Sequence, residues 1–195
     1  MSRVDDMGIE NATHGICGFT STLYAIYLNR PKLQKGVDKA MDASTRRARL
    51  RAEIKTFLQM MKAEGNTDVL GEITELTKTF PNYGAWTVNS YIDAVNKQTT
   101  GDYSIAMPPE STMRYMQTAW DLRPVLTDKT IPGDVILGLT RTGAPVNRWK
   151  NLAHYVYQSA GGRIYSWGEQ FDSMAEVNKK KNKDYSIIYR IMVHG

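Results

Sequence analysis

Asn11-Ala12-Thr13-His14-Gly15-Ile16-Cys17-Gly18-Phe19-Thr20-Ser21 is the stretch on which the fold turns. A polar, glycine-containing loop leads into the chain's single cysteine. An apolar periodic segment, Phe19, Leu23, Ile26 and Tyr27, follows it. That pattern predicts a loop feeding a helix with Cys17 in its first turn. The placement bears on chemistry. Thiolate is the nucleophilic form of cysteine, and free backbone N–H groups at a helix N-terminus favour an anion. The expectation is therefore a thiol pKa below the ordinary value of about 8.5. A lone cysteine is more often a small buried apolar residue, so the rest of the chain has to supply partners.

The 195 residues suit one domain with a real core, spanning 1–195, and are short for two. A hydrophobic share of 42% with 23% charged residues is that of a globular protein. One cysteine excludes an intrachain disulfide framework and a cysteine-based zinc site, and three scattered histidines leave little for a metal. No cofactor is expected. No apolar run is long enough to cross a bilayer, so no transmembrane segment is expected. Met1-Ser2-Arg3-Val4-Asp5-Asp6 is polar and acidic and does not read as a cleavable signal. The expected location is therefore cytoplasmic, or secreted by a route without such a signal. The net charge of +5 suits an anionic partner without requiring one. Arg46-Arg47-Ala48-Arg49-Leu50-Arg51 reads as an exposed helical face, and Lys179-Lys180-Lys181-Asn182-Lys183 as a solvated loop. Neither cluster interleaves aromatics with its charges, so no nucleic acid partner is expected.

The rest of the chain divides into helices and then strands. Asn29-Arg30-Pro31 stops the first helix. Apolar residues from Met41 through Met61 recur at three- and four-residue spacing and predict a helix over 37–63. Asp68 is a candidate cap for a helix closing near Phe80-Pro81-Asn82, and a further helix is expected over 85–96. Tyr103 to Met107 reads as a short strand, and Pro108-Pro109-Glu110 as the start of a helix carrying Met113, Met116 and Trp120. Then the character changes. Val135-Ile136-Leu137 follows a Pro-Gly-Asp turn and reads as a buried strand. The stretch 140–150 reads as a loop and 152–158 as a strand. Ser159-Ala160-Gly161-Gly162 reads as a hairpin turn and 163–167 as its return strand. Phe171 to Val177 is expected to be helical, and 185–193 a terminal strand. The fold class expected is α+β, with a helical lobe over about 10–121 packed on a C-terminal antiparallel β-sheet over about 131–194.

Cysteine catalysis needs a base within hydrogen-bond reach of sulfur and a third group to orient that base. His154 is the best base: it stands on a strand in the sheet half, and a helix crossing the sheet brings Cys17 to it. His14 is too close in sequence to reach round easily, but it can line the site. His194 is penultimate.

These residues resemble the papain-like cysteine hydrolase superfamily. Gly15-Ile16-Cys17-Gly18-Phe19-Thr20 is similar to the glycine-flanked nucleophile at the head of that superfamily's central helix. Asn11, six positions before Cys17, stands where papain-like enzymes carry an oxyanion-binding glutamine, with the same donors on a shorter arm. Pro132 to Leu137, His154-Tyr155-Val156-Tyr157 and Gly161 to Ser166 resemble the strand, histidine strand and hairpin of NlpC-type cell-wall peptidases. The chain departs from those enzymes in the long helical region between about 37 and 121. Tyr165 also stands in Tyr165-Ser166-Trp167-Gly168, where classical members have asparagine. For the third catalytic position Glu169 is favoured, a carboxylate that would both orient and stabilise an imidazolium, with Ser166 as the alternative. Gly18 and Trp167 are read as flanking the site.

The resemblance implies a thiol protease or amidase. Its catalytic residues would be Cys17 and His154, with Asn11 and the Cys17 N–H at the oxyanion. The amide cleaved would lie in a protein or a peptidoglycan peptide. A deamidase or acyltransferase using the same Cys-His site is the second reading, and a non-catalytic binding module is the third. Similarity to bacterial effectors and toxins of the superfamily implies a secreted bacterial setting, with an immunity or inhibitor protein as a partner.

Overall fold

The computed structural model describes residues 15–29, 43–97, 104–130 and 133–193. Within them the chain forms six helices and a six-stranded antiparallel sheet, a mixed α+β fold. The helices are α1 (Cys17–Asn29), α2 (Ala43–Ala63), α3 (Thr67–Lys78), α4 (Val88–Asn96), α5 (Pro109–Trp120) and α6 (Met174–Lys181). The strands are β1 (Val125–Thr127), β2 (Val135–Thr140), β3 (His154–Gln158), β4 (Ile164–Ser166), β5 (Glu169–Phe171) and β6 (Ser186–Met192), in the spatial order β1-β6-β2-β3-β4-β5.

Helix α1 is the centre of the molecule. Every residue from Gly18 to Tyr27 is buried, which marks a helix enclosed on all sides rather than an amphipathic surface helix. It crosses β2, β3 and β4 on one side and meets α5 on the other. Gly18 makes the α5 contact possible: a Cβ there would lie 2.9 Å from Thr112 Oγ1 and 3.1 Å from Met107 Cε. Phe19, Phe57 and Tyr115 interlock edge-to-face, with centroids 4.7–5.9 Å apart, and tie α1 to α2 and α5. Such contacts add to the burial of large rings.

The sheet is covered on both faces. Ile136, Tyr155, Tyr157 and Ile191 join the main core with helices α1 to α5. Val135, Leu137, Leu139, Val156, Ile164 and Phe171 form a second cluster with Val177 of α6. That explains the unbroken apolar run of β2, all buried from Val135 to Leu139. Gly138 admits the neighbouring strand closely, since a Cβ there would lie 3.0 Å from that of Tyr189.

Several expected elements are corrected. Ser104 to Met107 are buried but unpaired as a strand, because the Ala106 N–H donates to Thr77 Oγ1 of α3 (2.9 Å); Tyr103 lies outside the described residues. The cap position of α3 is Asn66, and Asp68 stands in its first turn. The expected helix over 171–177 begins later: Phe171 ends β5, and Ser173 caps α6 by accepting from the Glu176 N–H (3.2 Å). Lys179, Lys180 and Lys181 are not loop residues but the last turn of α6, where cations suit the carbonyl end of a helix. Of the first basic cluster, the side chains of Arg46, Arg47 and Arg49 lie outside the described set, as do residues 37–42 of the expected helix.

Candidate active site

Cys17 is the first residue of α1, and the first bond of that helix runs from the Thr20 N–H to the Ile16 carbonyl (3.1 Å). His154 is the first residue of β3, paired across the ladder with Leu139. Because α1 crosses β3, the two open onto one cleft of about 470 Å3. The turn after α3, Thr79 to Tyr83, forms one bank. Arg141, Gly143 and Pro145 of the β2–β3 loop, with Trp167 and Tyr185, form the other.

His154 is held on two sides. Its Nε2 lies 2.8 Å from Ser166 Oγ, a fully buried hydroxyl that also reaches the Tyr155 carbonyl at 3.5 Å. Its ring lies parallel to the Trp167 indole, centroids 4.1 Å apart and planes 10° apart. Trp167 and Gly168 form the two-residue turn of the β4–β5 hairpin, both with positive φ (53° and 74°). That is the left-handed pair favoured in tight hairpins, and it is an uncommon conformation for a bulky side chain. The turn is anchored to α1 by the Gly168 N–H, which donates to Tyr24 Oη (3.1 Å).

Burial governs the protonation of both groups. It pushes the Cys17 thiol up to about 11, although backbone N–H groups of Tyr155, Cys17 and Gly18 reach the sulfur and pull the other way. The expectation of a thiol acidified by the helix N-terminus is therefore corrected: desolvation outweighs the local dipoles. Burial lowers the His154 imidazole to about 3, with a smaller push from the Lys181 ammonium. These shifts keep both the thiol and the imidazole neutral near pH 7.

The structure thus brings Cys17, His154, Ser166 and Trp167 together. Glu169 is turned elsewhere: its exposed carboxylate pairs with Lys181, whose ammonium also sits 4.9 Å from the centre of the Trp167 ring. The hydrogen bond that orients His154 comes from Ser166, the alternative to Glu169, because β4 pairs beside β3 and turns the Ser166 hydroxyl inward. Gly18 does not line the cleft but packs beneath it on Thr112 and Met107. Asn11, His14 and His194 lie outside the described residues. The sequence reading missed the backbone N–H of Tyr155 at the sulfur, and the cleft residues Tyr83, Arg141 and Tyr185. The last three come from separate loops, and nothing local to any of them marks a shared site.

Among the described residues no helix is long and apolar enough to cross a membrane, and no group of three or more acidic, histidine or cysteine side chains is placed to hold a metal ion. Comparison of the chain with protein-family models, with curated proteins and with solved structures finds no match.

Proposed function

We propose that the protein is a cysteine hydrolase of papain-like arrangement that cleaves an amide bond through Cys17 and His154. One observation carries the reading. The thiol at the head of a buried central helix and the imidazole at the start of β3 face the same cleft, while the far nitrogen of that imidazole is engaged by Ser166.

The hydrogen-bond chain suggests the tautomer. Ser166 Oγ donates to the Tyr155 carbonyl and accepts from Nε2–H of His154. The lone pair is then on Nδ1, which is free to act as the base. From the neutral resting pair, Nδ1 takes the Sγ proton as the sulfur attacks the carbonyl carbon. The new C–S bond forms while the carbonyl π pair moves to oxygen. The Cys17 N–H receives the oxyanion. The imidazolium then protonates the leaving amine as the C–N bond breaks. Water, deprotonated by the same imidazole, releases the acyl group and restores the thiol. The imidazolium forms only during turnover, opposite the oxyanion of the bound substrate.

The test is acylation by p-nitrophenyl acetate. A stoichiometric burst of nitrophenolate with an acetyl group on Cys17, slowed roughly a hundredfold or more in His154→Ala, is the expected result. A modification spread over lysines, or a burst indifferent to His154, overturns the proposal.

A further inference from the structure

The cleft has a charge preference written into its walls. Among its described lining residues Arg141 is the one charged side chain, and no carboxylate lines it. His154 adds no charge, since burial keeps it neutral. Cys17, the first residue of α1, lines the same cleft, so the positive end of that helix's dipole lies beside it.

Arg141 is set in place rather than left loose. It immediately follows β2, its Nη1 donates to the Thr142 carbonyl (3.0 Å), and its charge is near enough to the Tyr185 hydroxyl to oppose the upward pull of burial on that phenol. The acidic group nearby, Asp184, is used differently. Its carboxylate accepts from the Thr142 N–H (3.0 Å) and from the Thr142 hydroxyl; those bonds, with a smaller pull from the Arg141 charge, lower its pKa, but the two groups make no direct ion pair. The Thr142 bond uses one donor of a guanidinium that carries five, and Arg141 lines the cleft. A guanidinium presents a planar fork that matches a carboxylate with two parallel hydrogen bonds. Tyr83, Pro145 and Trp167 add ring surface to a lining of mixed polarity, which suits the alternating polar and apolar groups of a peptide.

We infer that Arg141 is a specificity residue that binds a carboxylate of a peptide substrate beside the bond presented to Cys17. Calling that peptide a substrate rests on the hydrolase reading above; its binding does not. Two sources of carboxylate share this chemistry, an acidic side chain and a free peptide C-terminus.

Calorimetric titration of the Cys17→Ala protein separates them. Acetyl-Ala-Glu-Ala-amide carries a side-chain carboxylate, acetyl-Ala-Gln-Ala with a free C-terminus carries a terminal one, and acetyl-Ala-Gln-Ala-amide carries neither. One or both carboxylate peptides bind about tenfold tighter than the neutral one. The preference disappears with Arg141→Gln and returns in part with Arg141→Lys. Equal affinities, no binding by any of the three, or a preference that survives Arg141→Gln overturns the inference. On the protein with Cys17 intact, the ratio of alkylation rates by iodoacetate and iodoacetamide falls several-fold in Arg141→Gln. The two proposals fail separately. Burst acylation that depends on His154, with no charge preference, leaves the hydrolase without this specificity. A charge preference without acylation leaves a carboxylate-binding cleft and removes the hydrolase.

Discussion

Ser166 Oγ lies 2.8 Å from His154 Nε2, inside the protein and away from the cleft. The relationship assigns work to the two ring nitrogens, one held and one free. Ser166→Ala leaves the held nitrogen without its partner. A net neutral hydrogen bond is worth about 1 kcal/mol and an orphaned buried group up to about 3 kcal/mol. The variant should unfold at lower urea concentration, and its acylation by p-nitrophenyl acetate should slow roughly tenfold. Ser166→Thr, which keeps the hydroxyl, recovers part of the rate. Full activity in Ser166→Ala would show that the imidazole is oriented by its stack on Trp167 alone.

The buried imidazole makes stability depend on pH. Its folded pKa is about 3, below the ordinary value of 6.5. Between those values the unfolded chain binds a proton that the native protein does not. Stability from this group is therefore complete above pH 6.5 and is lost as pH falls toward 3, with a slope approaching 1.4 kcal/mol per pH unit. Urea titrations of wild type and His154→Gln between pH 7 and pH 4 should differ by about that slope. Parallel curves would mean that water reaches the ring.

Cys17 behaves in the opposite sense. Burial holds its pKa at about 11, above the ordinary value of about 8.5, so the native state keeps a proton that the unfolded chain releases. Stability is lost as pH rises from about 8.5 toward 11. Alkylation by iodoacetamide should be slow at pH 7 and climb close to tenfold per pH unit up to about pH 10, following the thiolate fraction. A fast, flat profile below pH 7 would show a thiolate already paired with an imidazolium at rest.

Lys181 tunes His154 from outside. Its ammonium lowers the imidazole pKa, though less than burial does, and it bridges Glu169 and the Trp167 ring. In Lys181→Gln the imidazole pKa followed by NMR should rise yet stay below 6.5, because burial persists. The exposed ion pair itself contributes less than about 1 kcal/mol, so the melting curve should hardly move.

Gly18 tests the packing under the site. Alanine gains about 1 kcal/mol of helix propensity over glycine. The added methyl meets Thr112 Oγ1 at 2.9 Å, and overpacking a tight core costs about 1–3 kcal/mol. Gly18→Ala should be destabilised by about 1 kcal/mol in urea unfolding. A more stable variant would show that Thr112 and Met107 give way freely.

Much of the architecture was legible from local pattern. The 3.6-residue periodicity around Phe57 and Met61, Pro109 in the first turn of α5, and the Gly161-Gly162 turn before β4 each announce their element, since propensity and turn chemistry act over a few residues. The misread segments are those where a partner distant in sequence decides. Ser104 to Met107 look like a strand, but Thr77 takes the Ala106 N–H. β1 and β5 are three residues each, too short for an alternation to register.

For the site, the sequence alone determined which groups could do chemistry: one cysteine at a helix start, one histidine on a sheet strand, and two candidate orienters in the following hairpin. Tertiary structure decided among them. The pairing of β4 with β3 turned Ser166 toward the imidazole, and α6 drew Glu169 out to Lys181. It also reversed the expected acidity of Cys17. The helix N-terminus is a local feature and readable in the chain, whereas desolvation depends on how completely neighbouring elements close over the sulfur. Burial is a property of the packed molecule, and no short stretch of residues carries it.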